Sequence, residues 1–405
     1  MSIARIRNDS WKDDENLKEV LTDYVSKTFK KCEILDFVKR DFPQYAWSPS
    51  SLSRRLNHFR IQYTDYNVPV DVIQGIVSNE MGGPGALLGY RAMHQKIRQE
   101  YKLNVPRAVV HGAMFNENPE LLEARRPGAK KKEKGHFSSP GPNFVHSLDG
   151  HDKLMGYQNS TFPIAIYGSI DTCSRKILWL KVWSSNSNPD LIGRFYIEYL
   201  YKSKVVAQNL RIDKGTETVQ MAGVHCYLLK DKVDDPTKNI IFGPSTSNQI
   251  ERWWKELHEK LEEYYKDQLR TMKDNLMYDP KNELHREILA YVMVPIIQHQ
   301  VDVFVELWNN HRIRKQKETY LPTGKPSHIY SFPENWGLHE CGFETTQEEL
   351  TEVAQLSGVF NNDDLDDYIK PETRIRCEQL KMINPEEDSV NIIAPFLYIR
   401  DHYGD

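Results

Sequence analysis

The stretch NFVHSLD (143–149), with TFPIAIYGSID (161–171) and RKILWLKVWSS (175–185) after it, decides the fold of this 405-residue chain. The segments are rich in β-branched and aromatic residues and are separated by short polar turns. That pattern is typical of three antiparallel strands in a meander. KVVAQNLRID (204–213) is almost continuously apolar, so we expect one further strand there, in the centre of the same sheet.

Helices alternate with strands after the meander. The spacing of apolar residues predicts helices at 188–203, 218–231 and 247–272, and NIIFG (239–243) predicts a short strand. The order βββαβαβα is that of the ribonuclease-H-like fold. We therefore predict an α/β core with a mixed five-stranded sheet flanked by helices, preceded by all-α helix-turn-helix units and followed by a helical extension.

Three acidic residues stand at the ends of these elements. Asp149 and Asp213 each close a strand-like run, and Glu251 lies at the start of a long helix. Carboxylates brought together repel one another, which favours a catalytic metal site over solvated acids at strand ends. Oxygen ligands suit Mg²⁺ or Mn²⁺, and phosphodiester transfer uses two ions about 4 Å apart. We expect Asp149 to bind both ions, and Asp213 and Glu251 to bind one each.

The motifs around these acids resemble the DDE-type integrase and transposase superfamily, in particular integrase-core-domain proteins of animal genomes with a retroviral-integrase-like catalytic domain. The similar segments are HSLDGHDKL (146–154), RIDKGTET (211–218), STSNQIERWW (245–254) and WNNHRIRKQKETYLPTGKPSHIY (308–330). Between the second and third acids lie 37 residues. The resemblance implies DNA integration or transposition by a metal-dependent polynucleotidyl transferase, acting as a homo-oligomer on paired DNA ends.

A candidate DNA-binding helix lies near the N-terminus, in SPSSLSRRLNHFRI (48–61). Ser48 and Pro49 suit the N-cap and the first turn, while Leu52 and Leu56 share an inner face. The residues expected to point outward and contact DNA are Ser50, Ser51, Arg54, Arg55 and His58. A small polar start with paired arginines suits the recognition helix of a helix-turn-helix motif. A solvated helix face is the alternative.

Further DNA contacts are predicted in two other places. In the second helical unit the candidates for phosphate contacts are Arg91, Lys96, Arg98 and Arg107. On the helix of Glu251, Lys255 and His258 follow at i+4 and i+7, so they share its face and are candidate contacts to the DNA end. Ordinary surface charge is the alternative in both places.

The chain is expected to be modular. The predicted parts are a helix-turn-helix unit (1–63), a second helical unit (64–126), a basic linker (127–141), the catalytic core (142–275), a helical extension (276–335) and an acidic C-terminal region (336–405). Residues 1–140 carry 23 Lys and Arg against 17 Asp and Glu, whereas residues 336–405 carry 5 against 16. A basic front suits DNA despite the net charge of −4, since only the local field acts on a phosphate backbone.

Several classes of protein are disfavoured by the sequence. The five cysteines are scattered and form no CxxC pair, which argues against a zinc module and for a reducing compartment. The N-terminus lacks the apolar region of a secretory signal, and the longest apolar run is interrupted by Pro295, so we expect an intracellular protein without a membrane span. A DNA enzyme of this kind is expected in the nucleus.

Two other functions remain open. One is a domesticated, catalytically silent DNA-binding protein that has kept the core. The other is a ribonuclease-H-like nuclease without transfer activity, which the tandem N-terminal helical units disfavour. The presence of all three acids favours the active transferase.

Overall fold

The computed structural model describes residues 10–118, 139–152, 154, 161–243, 249–314, 321–383 and 392–404, without the side chains of 249, 251, 252, 364 and 383. Packing divides the chain into two compact units, Met1–Lys132 and Glu133–Asp405. Most of the predicted linker, 127–138, lies outside the described residues. The predicted domain boundaries therefore stay a prediction.

The N-terminal unit is helical throughout its described part. Its helices are α1 (Glu15–Ser26), α2 (Lys31–Asp41), α3 (Pro49–His58), α4 (Val70–Met81), α5 (Tyr90–Glu100) and α6 (Arg107–Glu117). Helix α3 begins as predicted, because Ser48 accepts a hydrogen bond from the Ser51 N–H and Pro49 occupies the first turn. Helices α4 to α6 share one apolar core, in which Ile73, Met93 and Val110 are fully buried.

The second unit is built on the predicted mixed sheet. Its strands are β1 (Val145–His151), β2 (Ala165–Asp171), β3 (Ile177–Trp183), β5 (Asn209–Ile212) and β6 (Ile240–Phe242), in the order β3-β2-β1-β5-β6. The first three strands are antiparallel to one another, whereas β5 is parallel to β1 and to β6. This topology confirms the ribonuclease-H-like prediction.

The segment KVVAQNLRID does not form the single strand that we expected. Val205–Val206 forms β4, which pairs with β7 (Phe343–Glu344) in a separate two-stranded sheet, and only β5 joins the main sheet. Between the two strands, the Gln208 N–H donates to the Asn143 carbonyl. An apolar run alone does not reveal this change of partner, because both strands have buried side chains.

Helices cover both faces of the main sheet. On one face α7 (Pro189–Ser203) and α8 (Val219–Leu229) share a core with Leu148 and Tyr167. On the other face lie α9 (Gln249–Leu257), a π-helical turn (His258–Glu262), α10 (Glu263–Asp274) and α11 (Glu283–Asn310). Helix α11 is long and apolar enough to span a membrane by length and composition, but it packs on the sheet as a core helix, with Ile288, Met293 and Val301 fully buried.

The acidic C-terminal region packs onto the sheet unit. Its helices are α13 (Gln347–Ser357), α14 (Pro371–Ile383) and α15 (Ile393–His402), and a short α12 (Pro326–Ser331) precedes them. Leu350 joins the core that contains Leu148, while Cys377 and Phe396 join the core on the α11 face. The apolar residues of this region therefore complete the two cores, although its composition is dominated by acids.

Candidate active site

The first two predicted acids lie side by side, toward the C-terminal ends of two neighbouring parallel strands. In the β1–β5 ladder, Val145 pairs with Asn209 and Ser147 with Arg211. Continuing this register by two residues brings Asp149 opposite Asp213, which directly follows β5. Neighbouring strands lie about 4.8 Å apart, so the two carboxylates are within reach of one metal ion or of two adjacent ions.

Asp149 points to the face of the sheet that α9 covers. It pairs with Gly168 on β2, whose neighbours Ile166 and Ile170 belong to the core on the α11 face. There the indole Nε1 of Trp254 donates a 3.1 Å hydrogen bond to Asp149 Oδ2. Strand β1 and helix α9 are thus joined at the carboxylate itself.

Asp213 has a partly desolvated carboxylate. Its Oδ1 is buried and has no hydrogen-bond partner among the residues that the structure describes. Burial raises the pKa of Asp213, and the charge of Arg211 partly opposes this. Burial also raises the pKa of Tyr167, and the negative charges of Asp149, Glu217 and Asp213 raise it further. An oxygen that is buried without a partner fits a site that a cation completes.

Glu217 is a further carboxylate at this edge. A Cβ atom at Gly215 would collide with its carboxylate oxygens, so Glu217 folds back over the turn that follows Asp213. The sequence indicated only a favourable acid at a helix start, and the helix α8 does begin two residues later. The sequence signal is Gly215, two residues before the acid, because a glycine leaves room for the Glu217 side chain to fold back over the turn.

Glu251 is the third residue of α9, and its side chain lies outside the described residues. Its place as the third ligand therefore stays a prediction. Among the side chains that the structure describes, no group of three or more His, Cys, Asp or Glu is arranged to hold a metal ion. The described part of the donor set consists of the hard oxygens of Asp149 and Asp213, which fit Mg²⁺ or Mn²⁺.

A buried polar pair supports the indole of Trp254, and we did not predict it from the sequence. The imidazole of His151 stacks on the indole, and its Nε2 lies 2.8 Å from Glu262 Oε1. Burial alone would raise the pKa of Glu262, but the hydrogen bonds from His151 and His258 outweigh it and hold the pKa below its usual range. The sequence signal is weak, because Glu262 lies 111 residues from His151.

The structure corrects two of the predicted DNA contacts on α3. Ser51 is buried, and its hydroxyl is engaged with Ser48 and with the Ala46 carbonyl. Arg55 is only 3% exposed, and its guanidinium lies 4.0 Å from the centre of the Trp47 ring. Tyr45 and Trp11 complete an aromatic box around it. Neither side chain points outward, because Arg55 lies inside the aromatic box and the Ser51 hydroxyl bonds to the backbone at the start of the helix.

The other three α3 residues are exposed as expected. Ser50, Arg54 and His58 share the outer side of the helix. His58 Nε2 also lies 3.3 Å from the Lys12 carbonyl, and its ring packs edge-on against Trp11. Arg54 and Ser50 thus remain the most accessible candidates for contacts with DNA on this helix.

Two of the predicted phosphate contacts in the second helical unit are wrong. Lys96 is buried in an ion pair with Glu80 at 2.7 Å. Arg98 is also buried, and it donates to the carbonyls of Val25 and Tyr63 at 2.8 Å, which ties α5 to α1. The charged groups of Lys96 and Arg98 therefore bind other residues of the N-terminal unit. Arg91 and Arg107 are exposed and stay candidates.

The two candidates on the helix of Glu251 differ in exposure. Lys255 is exposed and lies 3.4 Å from Glu259, one turn further along. The side chain of His258 is 33% exposed, and its Nδ1 lies 3.3 Å from the buried Glu262. His258 is thus partly occupied by an internal hydrogen bond, whereas Lys255 is available at the surface.

Comparison with known proteins identifies the domain that carries this site. A family model described as "Integrase core domain" matches residues 136–330, a range that contains Asp149, Asp213 and Glu251. A search of curated proteins finds no match to the chain. The matched range also covers the five-stranded sheet and helix α9. Residues 136–330 of this chain therefore match an integrase core domain, which supports a DDE-type catalytic domain in this part of the chain.

Proposed function

We propose that this chain is a metal-dependent polynucleotidyl transferase that cleaves DNA and joins its strands. The observation that carries the proposal is the register of β1 and β5, which brings Asp149 and Asp213 together at one edge of an integrase core sheet. Glu251 lies on α9, three residues before Trp254, which contacts Asp149. Residues three apart share one side of a helix, so this spacing supports Glu251 as the third ligand.

The protein's own groups supply positioning and charge. Asp149, Asp213 and Glu251 would hold two ions of Mg²⁺ or Mn²⁺, and bound ions of this kind activate an attacking oxygen and stabilise a leaving oxygen in phosphodiester transfer. The ladder of β1 with β2 includes Asp149 itself, and the ladder of β1 with β5 ends two residues earlier, at Ser147, so the backbone before Asp149 is held from both sides. Asp213 Oδ1 is buried and accepts no hydrogen bond from the described residues. A cation bound there would compensate for the solvation that this oxygen loses on burial.

DNA recognition is assigned to the N-terminal unit. Arg54 and Ser50 on the outer side of α3, with Arg107 on α6, are the exposed candidates for contacts with phosphate and base edges. Strand transfer joins two DNA ends to one target, so we further propose that the protein acts as a homo-oligomer on paired ends. A protein with this substrate would act in the nucleus.

Metal-dependent nicking and joining of plasmid DNA by the purified full chain tests the proposal. We expect Asp149→Asn, Asp213→Asn and Glu251→Gln each to abolish breakage in Mg²⁺ and in Mn²⁺ while leaving DNA affinity within about twofold, because phosphate contacts elsewhere carry the affinity. Asp152→Asn is the matched control. This exposed carboxylate lies three residues after Asp149, and its loss should leave nicking unchanged.

The outcomes separate the candidate functions. Nicking that persists in the three acid variants would refute the proposed mechanism. DNA binding by the wild-type chain without any metal-dependent breakage, on plasmid and on a library of DNA ends, would instead support the catalytically silent DNA-binding protein. Breakage without joining would support the nuclease.

A further inference from the structure

Trp254 is a core residue with an unusual hydrogen-bond partner. Its side chain is 2% exposed, and its only polar atom donates to Asp149 Oδ2 at 3.1 Å. Buried indole N–H groups usually have an acceptor, and a backbone carbonyl would serve equally well. Here the acceptor is a carboxylate oxygen of the candidate site. The contact therefore fixes the orientation of the carboxylate as well as that of the indole.

The indole is itself held by a second layer of contacts. The rings of His151 and Trp254 are stacked, with centroids 4.7 Å apart and planes 16° apart. His151 Nε2 lies 2.8 and 2.9 Å from the two oxygens of Glu262, a residue with no exposed surface. His258 lies 3.3 Å from the same carboxylate. Asp149, Trp254, His151 and Glu262 thus form one continuous chain of contacts.

The π-helical turn explains how Glu262 reaches this chain. In an α-helix, residues spaced by four drift steadily around the axis, so Trp254, His258 and Glu262 would progressively leave a common side. The wider π-helical turn at His258–Glu262 takes more residues per turn and cancels part of the drift. Trp254 and Glu262 therefore both reach residues of β1, Asp149 and His151, and His258 contacts Glu262. π-Helical turns of this kind are frequent at functional sites.

The neighbouring Trp253 shows that burial alone does not require this contact. Trp253 is also 2% exposed and packs against Phe304 and Trp308. Its indole nitrogen is buried and has no hydrogen-bond partner among the described residues. Two adjacent tryptophans of equal burial thus differ in their hydrogen bonding, since of the two it is Trp254 that donates to a carboxylate of the site.

We propose that Trp254 is a positioning residue that orients the Asp149 carboxylate for metal binding, and that the buried His151–Glu262 pair holds the indole in place. This inference rests on the proposed function, because it takes Asp149 as a metal ligand. Groups that orient a ligand from outside the metal's own coordination sphere change metal affinity by about 10- to 100-fold when removed. Trp254 donates to one Asp149 oxygen and would act in this way.

The test measures Mn²⁺ binding to the full chain by calorimetry, without DNA, and nicking activity beside it. Trp254→Phe keeps a ring but removes the donor, and Trp253→Phe is the matched control of equal burial. Replacement of Trp254 by benzothienylalanine keeps the shape of the indole and removes only the N–H. We expect about 10-fold or greater loss of Mn²⁺ affinity in both Trp254 variants and less than about threefold loss in Trp253→Phe.

Asp149→Asn distinguishes a failure of the positioning role of Trp254 from a failure of the proposed metal site. If Asp149→Asn loses Mn²⁺ affinity but the benzothienylalanine variant binds Mn²⁺ like the wild type, the positioning role of Trp254 is wrong and the proposed site stands. If Asp149→Asn binds Mn²⁺ like the wild type, both are wrong. Equal losses in the Trp253 and Trp254 variants would also overturn the positioning role, since they would reflect general damage to the core.

Discussion

Arg54 and Arg55 are adjacent on α3, and the structure predicts opposite consequences for their loss. Arg54 lies on the exposed side of the helix, whereas Arg55 is 3% exposed inside the box of Trp11, Tyr45 and Trp47. We expect Arg54→Ala to weaken DNA binding without loss of stability. We expect Arg55→Ala to destabilise the N-terminal unit while removing no direct DNA contact.

The magnitude for Arg55→Ala follows from its surroundings. A desolvated cation–π interaction contributes about 2 kcal/mol, and truncation also removes the packing of the side-chain stem, for a gross loss of roughly 3–4 kcal/mol. Against this, Nε and Nη1 are buried without hydrogen-bond partners among the described residues, and relief of that penalty returns about 1–2 kcal/mol. The net loss is therefore about 2 kcal/mol. Arg55→Met, which keeps the stem and loses the charge, should cost less than about 1 kcal/mol.

Hydrogen exchange of the α3 amides in the full chain measures this change in stability. The salt dependence of DNA affinity measures the number of phosphate contacts. Arg55→Ala should accelerate exchange of the protected amides by about 30-fold, which corresponds to 2 kcal/mol. Arg54→Ala should leave exchange unchanged and lower the salt slope by about one. If Arg55→Ala left exchange unchanged and lowered the salt slope as Arg54→Ala does, the buried placement of Arg55 would be refuted.

Two further predictions concern the sheet unit. In Gly168→Ala, the new Cβ would collide with Leu180 Cδ2 and lie 3.0 Å from the Trp179 carbonyl oxygen. We therefore expect urea unfolding to show a free energy of unfolding lower by about 1–3 kcal/mol. Nicking should also fall, because Gly168 pairs with Asp149. Gly75→Ala on α4, where nothing lies within 4 Å, is the control and should not destabilise. Burial lowers the pKa of His225 to about 3, below its ordinary 6.5, so its contribution to stability is complete above pH 6.5 and is lost as the pH falls. His225→Gln should reduce the slope of unfolding free energy against pH by about 1.4 kcal/mol per unit at pH values well between 6.5 and about 3, and an unchanged slope there would contradict the buried neutral state.

The elements of the sheet unit could be predicted from the sequence because their patterns are local. Alternating and continuous apolar runs marked β1 to β3 and β6, and helical spacing marked α7 to α9. The boundary between β4 and β5 could not be found in this way. Which sheet a strand joins depends on β7, more than 130 residues further along the chain, and no local pattern carries that information.

The same limit applies to the candidate site. Asp149 and Asp213 were predicted because each ends a strand-like run, and β-sheet geometry then brings strand ends together. The misplacement of Ser51 and Arg55 has a related cause. Helical spacing defines the apolar stripe of α3, but Arg55 is buried by Trp11 and Trp47, which lie outside the helix, and Ser51 is buried by its bonds to Ser48 and Ala46.

The contacts around Asp149 link residues that are distant in the sequence to the proposed chemistry. A metal site needs carboxylates that repel one another to stay close before any cation arrives, so the scaffold must hold them against that repulsion. The backbone hydrogen bonds of β1 fix the position of the Asp149 main chain, but they leave the rotation of its carboxylate free. A hydrogen bond from a rigid, buried donor removes that freedom, and Trp254 provides one. Its own rigidity depends on His151 and Glu262, so the orientation of the Asp149 carboxylate depends on a residue 113 positions away in the sequence.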